Sequence, residues 1–367
     1  MLFTIEQSRL LKTLQIVERA VNDRSALPIL ANILLEITDR ELVCTATDLD
    51  VGVRYQLPLA NVTEPGTATL PARRLSALVR ELPEELVTVE AKKNHAATVS
   101  CGSSQFRIPG LPPEDFPTFP VLEQAAGLEI SAQVLRTMIT QTAFAMSMEA
   151  TRFVLNGALV KYSDATITLA ATDGRRLAVA STTVPPARTS ALQVIVPSKA
   201  IRELGRLLQD SETDEVRIVP LQDNQLLFRF GGITVLTRLV DGQFPQYDNV
   251  IPQPSPTTIQ CDRAVFASAV RRVSLMTTAT SQAVVFELSK DRLVISKDTP
   301  ELGSAREELP AAYQGAPATI AFNPEYWLDV LKVLESADVT IEVSAPDKPA
   351  VIRLPGFLYI VLPMKLA

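Results

Sequence analysis

The stretch LVCTATD at residues 42–48 returns further along the chain as ITLAATD at residues 167–173. A third and more divergent copy, LVISKD, ends at Asp298. The closing aspartates, Asp48, Asp173 and Asp298, are therefore spaced 125 residues apart. Self-similarity at a fixed period indicates a duplicated structural unit, and such a unit determines how every local motif is interpreted.

A second marker keeps nearly the same spacing. The sequence PARRLSALVREL begins at Pro71, PSKAIRELGRLL begins at Pro197 and NPEYWLDVLKVL begins at Asn323, in steps of 126 residues. Because two unrelated segments hold one register along the whole chain, we interpret the sequence as three tandem copies of one domain. Dividing 367 residues by three gives about 122 per copy, which is an ordinary size for a folding domain.

The composition is that of an ordinary globular protein, with 47% hydrophobic and 21% charged residues. No run of eighteen mostly apolar residues occurs, and charges from Glu6 to Arg19 argue against a secretory signal. The three cysteines, Cys44, Cys101 and Cys261, are odd in number and widely spaced, which favours a reducing compartment. We therefore expect a cytoplasmic protein that has no contact with a membrane.

Motifs that would indicate catalysis are missing from the sequence. The single histidine, His95, has no closely spaced cysteine or histidine partners, so we expect no metal site. No phosphate-binding glycine loop, nucleophile elbow or paired-carboxylate motif occurs, and Ser103-Ser104 after Gly102 is typical of a turn. We predict no catalytic residue and no cofactor, although an enzyme with an unrecognised site stays open as an alternative.

The first copy predicts two helices and about seven or eight strands. Leu10, Leu14 and Val17 share one face of the first helix, and Leu75 and Val79 share one face of the second. The predicted helices are 5–20 and 71–82, and the predicted strands are 33–38, 41–47, 51–57, 86–91, 97–101 and 105–108. This pattern favours an α+β fold in which helices lie on antiparallel sheets.

The later copies repeat the same order of elements. Their predicted helices are 131–145, 197–208, 262–275 and 323–334. Proline-containing joints, each with a Phe-Pro pair, separate the copies at residues 116–120 and 244–256. We place an N-terminal domain at 1–120, a central domain at 128–248 and a C-terminal domain at 256–367.

The charge is distributed unevenly between the predicted helices and the remaining chain. The net charge is −6, but the six predicted helices hold fourteen basic and seven acidic residues. Their balance is therefore +7, which leaves −13 for the other segments. Equivalent helices in a symmetric repeat lie on a common surface, so one face should be basic. Such a face would bind phosphates without reading bases, although any single arginine could simply be solvated.

Several longer motifs together carry a family resemblance over essentially the whole chain. They are FTIEQSRLLKTL near the start, LPILANILLE at 27–36, RFVLNGALV at 152–160, ATDGRRLA at 171–178, LVDGQFPQY at 239–247 and the terminal YIVLPMKL. With these motifs the chain resembles the bacterial DNA polymerase III β subunits, the sliding clamps. No single motif would be specific, but the combination is.

The resemblance implies a non-catalytic processivity factor of the polymerase holoenzyme. Three domains of the clamp fold per chain would close head to tail as a homodimer, giving a six-domain ring around double-stranded DNA, bound without sequence preference. The ring would tether the DNA polymerase III α subunit, the clamp loader, and other polymerases and repair proteins. These partners would dock by short peptide motifs in an apolar cleft.

The resemblance also assigns site residues. The DNA-facing set is Arg24, Arg73, Arg74, Arg80, Arg136, Lys199, Arg202, Arg206, Arg271, Arg272 and Lys332. The partner-peptide cleft comprises Leu155, Thr172, Gly174, Arg175, Arg176, Leu177, Pro245, Val250, Val361, Leu362, Pro363 and Met364. The dimer interface comprises Phe106, Ile108, Val273 and Leu275. By periodicity alone, Leu155 and Leu177 are more typical of plain core.

Four positions depart from the pattern of the family. Arg175 stands where histidine is common, Glu149 replaces a glutamine at a DNA contact, Lys365 replaces an arginine, and Ala367 extends the C-terminus by one residue. A further alternative is a three-domain scaffold that binds acidic proteins through its basic face without encircling DNA. Retention on circular compared with linear DNA would separate that scaffold from a clamp.

Overall fold

The computed structural model describes residues 1–23, 25–38, 40–120, 127–149, 151–186 and 191–365. Within these ranges the chain forms six α-helices, two in each copy of the repeat. They are α1 Gln7–Val17, α2 Ala72–Glu81, α3 Ala132–Thr142, α4 Ser198–Gln209, α5 Arg263–Ser274 and α6 Pro324–Val333. All six predicted helices are confirmed, each with ends that shift by a few residues.

The first two copies supply seventeen of the strands in the described ranges. Those of the first copy are β1 Leu2–Glu6, β2 Asn32–Ile37, β3 Glu41–Thr47, β4 Val51–Pro58, β5 Asn61–Glu64, β6 Gly66–Pro71, β7 Leu86–Ala91, β8 Ala96–Cys101 and β9 Ser104–Pro109. Those of the second copy are β10 Leu128–Ser131, β11 Gly157–Ser163, β12 Thr166–Thr172, β13 Arg176–Thr183, β14 Leu192–Pro197, β15 Glu215–Leu221, β16 Gln225–Phe230 and β17 Ile233–Arg238.

The third copy supplies nine more strands, again counted within the described ranges. They are β18 Thr258–Asp262, β19 Val284–Ser289, β20 Arg292–Thr299, β21 Gly303–Pro310, β22 Ala312–Tyr313, β23 Ala318–Phe322, β24 Asp338–Val343, β25 Ala350–Leu354 and β26 Phe357–Val361. Together with the helices they confirm the predicted α+β class.

The chain divides into two compact units, which cut through the central copy. The first unit comprises Met1–Leu135, Pro185–Ser190 and Arg202–Leu239, and the second comprises Arg136–Val184, Ala191–Ile201 and Val240–Ala367. The first unit holds a five-stranded sheet, β5-β1-β7-β8-β9, and an eight-stranded sheet, β10-β15-β16-β17-β4-β3-β2-β6. The second holds a nine-stranded sheet, β14-β11-β12-β13-β26-β25-β24-β18-β22, and a four-stranded sheet, β21-β20-β19-β23.

Strand pairing across copies explains this division. In the first unit, β17 of the second copy pairs antiparallel with β4 of the first copy, with Val235 opposite Val53. In the second unit, β13 of the second copy pairs with β26 of the third, with Leu177 opposite Ile360. Each pairing covers backbone groups that would otherwise form an exposed sheet edge. The copies are therefore joined by continuous sheets rather than by linkers alone.

The helices pack through the apolar faces that periodicity predicts. In the first copy Leu10, Leu14, Leu75 and Val79 are all buried, and the Gln7 side chain donates a 2.6 Å hydrogen bond to the Val79 carbonyl. The amide thereby joins α1 to α2 without leaving a buried polar group unpaired. Helical spacing correctly located this core.

In the third copy the facing residues of the helix pair are aromatic. Phe266 on α5 and Trp327 on α6 lie with ring centroids 5.6 Å apart, and Phe286 and Phe322 of the sheet also contact Trp327. These four rings are buried. Tilted and edge-to-face contacts of this kind add to the stabilisation from apolar burial.

The repeated Thr-Asp motif builds a strand-connecting turn. After β3, one oxygen of the Asp48 carboxylate accepts hydrogen bonds from the backbone N–H groups of Asp50 and Val51, at 3.1 and 2.7 Å. The hydroxyl of Thr47 accepts from the N–H of Leu49 and donates to the Val51 carbonyl. These four bonds hold the chain reversal between β3 and β4.

The second copy makes the same four bonds, and the third does not. Asp173 accepts from the backbone of Arg175 and Arg176, while Thr172 accepts from Gly174 and donates to the Arg176 carbonyl. In the third copy Asp298 lies within β20 and is paired with Ser304 of β21. The more divergent third sequence therefore extends the strand past the position at which the other copies turn.

Candidate functional site

A cavity of about 460 Å³ lies in the second unit. Nine residues predicted for the partner cleft line it: Leu155, Thr172, Gly174, Arg175, Arg176, Leu177, Pro245, Val250 and Leu362. Four lining residues were missed from the sequence: Gln246, Tyr247, Pro349 and Ile360. The LVDGQFPQY motif contains Gln246 and Tyr247, so extending the assignment along that motif would have found two of them.

The floor of the cavity comes from the pairing of β13 with β26. Leu177 and Ile360 are directly opposite each other, and both belong to a buried apolar cluster with Phe244 and Tyr247. The rings of Phe244 and Tyr247 meet edge to face at 6.3 Å. Leu177 is only 4% exposed, so it belongs to the hydrophobic core of the second unit and also lines the cavity. The apolar lining would remove the side chains of a bound peptide from water.

Three residues predicted for the cleft do not line this cavity. Val361 follows Ile360 on β26, and because successive strand residues point to opposite faces, its fully buried side chain lies elsewhere. Pro363 and Met364 lie beyond the strand, where the Met364 N–H donates to the Ala321 carbonyl at 2.7 Å. Met364 thus contacts the four-stranded sheet, and the cavity wall ends at Leu362.

Arg176 is the most heavily coordinated side chain at the cavity. Its Nε donates to Asp173 at 3.0 Å, Nη1 to Asp329 at 2.6 Å and Nη2 to the Phe144 carbonyl at 2.6 Å. The guanidinium lies 4.5 Å from the ring centroid of Tyr326. Since the side chain is only 9% exposed, these partners offset the cost of removing its charge from water.

The ionisation of nearby groups follows from this packing. Burial by itself lowers the pKa of Arg176, but Tyr359 and the carboxylates of Asp329 and Asp173 outweigh it, so the net pKa is raised. Burial raises the pKa of Tyr359, whose hydroxyl donates to the Tyr326 carbonyl at 2.7 Å. At neutral pH Arg176 is therefore a charged, compensated cation, and Tyr359 behind it is a neutral phenol.

The turn at Gly174 forms one rim of the cavity. Gly174 has a φ of 85°, and a Cβ built there would lie 2.9 Å from the Nη1 of Arg152. Arg152 in turn donates to the Asp173 carbonyl at 2.8 Å and pairs with Glu149 at 3.1 Å. The departure at Glu149 thus has a structural consequence, because its carboxylate neutralises an arginine next to the cavity.

Apart from Arg24, the predicted DNA-facing residues lie on the helices, and all but one of these are exposed. The exposed ones are Arg73, Arg74, Arg80, Arg136, Lys199, Arg206, Arg271, Arg272 and Lys332, whereas Arg202 is half-buried. Arg24 lies outside the described residues.

Carboxylates compensate part of this basic charge. Arg73 pairs with Asp23, Arg206 with Glu203 at 2.6 Å, and Arg272 makes two bonds to Glu307 at 2.7 and 2.8 Å. The three arginine side chains are exposed in these pairs, whereas the three acidic side chains are buried or half-buried, so each guanidinium still faces solvent. The charge count from sequence nevertheless overstates the net field of the helices.

The four residues predicted for the dimer interface separate into two classes. Phe106 on β9 is 40% exposed and Leu275 after α5 is 70% exposed. Ile108 and Val273 are only 2% and 0% exposed, because their side chains face the chain's own core. Side-chain contact with a partner at Ile108 and Val273 is therefore not supported by their burial.

The described ranges lack two features, a cluster of metal ligands and a membrane-spanning helix. Among those residues no group of three or more histidine, cysteine, aspartate or glutamate side chains is placed to hold a metal ion. None of the helices there is long and apolar enough to span a membrane.

The chain is similar to known proteins over nearly all of its length. Residues 1–120, 129–246 and 248–365 match the N-terminal, central and C-terminal domains of the DNA polymerase III beta subunit. The beta sliding clamp of Pseudomonas putida is 35% identical over 99% of this chain and all of its own length. That of Bacillus subtilis is 30% identical, with both chains fully covered.

Solved structures agree with these matches. A DNA polymerase III subunit beta from Pseudomonas aeruginosa has a TM-score of 0.92 at 35% identity, and a sliding clamp from Bartonella birtlesii bound to griselimycin has 0.94 at 32%. Both comparisons cover all of this chain and all of the other. The family consists of processivity factors rather than catalytic subunits. With its three tandem clamp domains, the chain belongs to the family of DNA polymerase III β subunits, the sliding clamps.

Proposed function

We propose that two copies of this chain close head to tail into a ring around duplex DNA and hold replication proteins there. The observation that carries the proposal is the threefold repeat, which places six helices in the described ranges, and these helices together expose more basic than acidic side chains. A ring held on DNA by topology needs no tight contacts, so weak and sequence-blind attraction to phosphates suffices. Family membership supports this proposal over the scaffold and enzyme alternatives.

Two sheet edges are suited to joining the copies. Strand β9 is an edge of the five-stranded sheet, and β21 is an edge of the four-stranded sheet. Exposed edges tend to pair with other strands unless something covers them. Arg107 on β9 would compete with Arg292 and Arg306 for Glu308 on β21 of a second copy, and Phe106 and Leu275 would supply apolar contact. Pairing β9 with the β21 of the partner would close a ring at two equivalent joints.

The cavity floored by Leu177 and Ile360 is the proposed docking site for partner peptides. It is apolar, of a size suited to a few large side chains, and it lies beside an ordered arginine. We propose that the α subunit of DNA polymerase III, the clamp loader, and other polymerases and repair proteins present short peptide tails there. A shared site would make these partners compete with one another.

The domain limits 1–120, 128–248 and 256–367 belong to the same proposal, as does action in the cytoplasm, where bacterial DNA is replicated. The division into two compact units does not oppose three domains, because the sheets continue from one copy into the next.

The mass of the protein in solution tests ring closure. Sedimentation equilibrium should give about 80 kDa, twice the 40.0 kDa of one chain. Replacing Phe106 and Leu275 with aspartate should shift the population to monomers while preserving the circular dichroism spectrum, because both side chains are exposed. A monomeric wild-type protein at concentrations far above those in cells would contradict the ring.

A further inference from the structure

Three arginines stand at the wall and rim of the peptide cavity, and two of them already have anionic partners. Arg176 is held by Asp173 and Asp329, and Arg152 is paired with Glu149. Arg175 lines the cavity as well. Within the described part of the chain, no carboxylate lies at ion-pair distance from the Arg175 guanidinium. It is the uncompensated cation of this site.

The backbone holds Arg175 in place while its side chain stays exposed. Its N–H donates to Asp173 at 2.9 Å, and its carbonyl accepts from the Leu362 N–H at 2.9 Å. The two bonds fix the residue between β13 and the segment after β26. A guanidinium is charged at every physiological pH and offers a planar fork that matches a carboxylate. An exposed arginine is often only solvated, but this one borders an apolar cavity.

We propose that Arg175 makes the cleft select peptides that carry a carboxylate beside their apolar anchor residues. This inference rests on the proposed docking function and adds a rule of specificity to it. Apolar side chains would fill the cavity above Leu177 and Ile360, and the carboxylate would pair with Arg175 at the rim. The carboxylate can come from an aspartate or glutamate side chain, or from the C-terminus of the peptide.

The test begins with a displayed library of short random peptides, selected separately on three forms of the full-length protein. The forms are wild type, Arg175→Gln and Val250→Asp, the last of which puts a charge on an exposed residue of the cavity wall. We expect wild type to enrich apolar peptides with an acidic residue, Arg175→Gln to enrich apolar peptides without one, and Val250→Asp to enrich neither.

The strongest wild-type binder is then synthesised in matched forms and measured by fluorescence anisotropy. We expect Arg175→Gln to weaken binding about three- to fivefold at low salt, because exposed ion pairs contribute little, and the difference to shrink at high salt. Arg175→Lys should retain most of the affinity. Lys290→Gln, which removes an exposed cation from the turn after β19, is the matched control and should change nothing.

The peptide forms separate the two sources of the carboxylate. Loss of affinity on changing aspartate to asparagine assigns the contact to a side chain, and loss on C-terminal amidation assigns it to the terminus. Replacing the acidic residue of the peptide with lysine should restore binding to Arg175→Glu. Equal affinity of wild type and Arg175→Gln for every form would overturn the role of Arg175. If no peptide binds wild type more tightly than Val250→Asp, the docking function itself fails.

Discussion

Leu49 and Gly174 occupy the same place in two copies of the repeated turn, and both have positive φ, at 80° and 85°. Glycine adopts this conformation without strain, whereas leucine does so at a cost of roughly 1 kcal/mol. The first copy thus tolerates a strain that the second avoids. The four hydrogen bonds of the Thr47-Asp48 motif compensate it.

Exchanging these residues should therefore have opposite effects. Leu49→Gly should raise the free energy of unfolding by about 0.5 kcal/mol, because the strain relieved in the folded state exceeds the stabilisation of the unfolded chain by the added entropy of glycine. Gly174→Ala should lower it by about 1 kcal/mol, and its Cβ also approaches Arg152. Urea denaturation of both variants measures the difference. A destabilised Leu49→Gly variant would show that leucine contributes more by packing than it costs in strain.

Asp329 is the residue that links Arg176 to α6. In Asp329→Asn the guanidinium loses its shortest ion pair, of 2.6 Å, and keeps Asp173, the Phe144 carbonyl and the ring of Tyr326. Because Asp329 is 42% exposed, we expect a loss of only about 1–2 kcal/mol in stability. We also expect severalfold weaker peptide binding, since Arg176 lines the cavity. Glu335→Gln, an exposed change just after α6, is the control; equal peptide affinity in both variants would remove Asp329 from the site.

The buried thiol of Cys261 makes the free energy of unfolding decrease at alkaline pH. Burial, followed by the charges of Asp262 and Asp338, raises the pKa of its thiol from 9.0 to about 12. Between these values the unfolded chain loses the proton and the folded chain keeps it, so stability is complete below pH 9 and falls above it. The wild-type advantage over Cys261→Ala should shrink by about 1 kcal/mol from pH 9 to 10. Urea titrations at both pH values measure it; a constant difference would show that the thiolate is tolerated.

At the scale of elements, hydrophobic periodicity located the amphipathic helices but missed the short strands β1, β5 and β6. The apolar spacing of Leu10, Leu14 and Val17 predicted α1 correctly, but the predicted helix began at residue 5, and residues 5 and 6 form the end of strand β1, Leu2–Glu6, instead. Their alternating burial and pairing with β7 decide this, and the partner lies more than 80 residues away. The strands β5 and β6 were missed for the same reason. Local sequence does not show a distant pairing partner.

The residues of the candidate site also fall into two groups, those that are close in sequence and those that only strand pairing brings together. The residues of the turn at Thr172 and Gly174 lie together in sequence, so a motif finds them. Pro349 and Ile360 reach the cavity through the pairing of β13 with β26, which no local pattern reveals. Conversely, the family resemblance assigned Val361 to the cleft, although strand alternation turns its side chain away from the cavity.

Whether the basic helices attract DNA can be tested on helix α4, which contains Arg202 and Arg206. Reversing the charge at Arg202 and Arg206 should weaken DNA association and lower the slope of log affinity against log salt by up to about 2. The fold should persist, as neither side chain is fully buried, and Lys290→Glu on a sheet turn is the control. Anisotropy of labelled duplex DNA across a salt series measures both quantities. An unchanged slope would mean that α4 does not face DNA.

At the scale of the whole molecule, the repeat supplies three sets of helices and the shared sheets join them. The period of 125 residues predicted the number of copies, and the family matches at residues 1–120, 129–246 and 248–365 confirm it. Sequence alone did not predict that sheets would continue between copies, because each copy was interpreted as a self-contained domain. The pairings of β4 with β17 and of β13 with β26 are long-range contacts between copies.

The central claim is that the protein is held on DNA by encirclement. Labelled protein should first be loaded on closed circular DNA with a clamp loader, and the DNA then separated from free protein by gel filtration. We predict retention on the closed circle, and release after a single restriction cut that provides an end. Equal retention on circular and linear DNA would contradict the ring, since binding that ignores DNA ends cannot depend on topology.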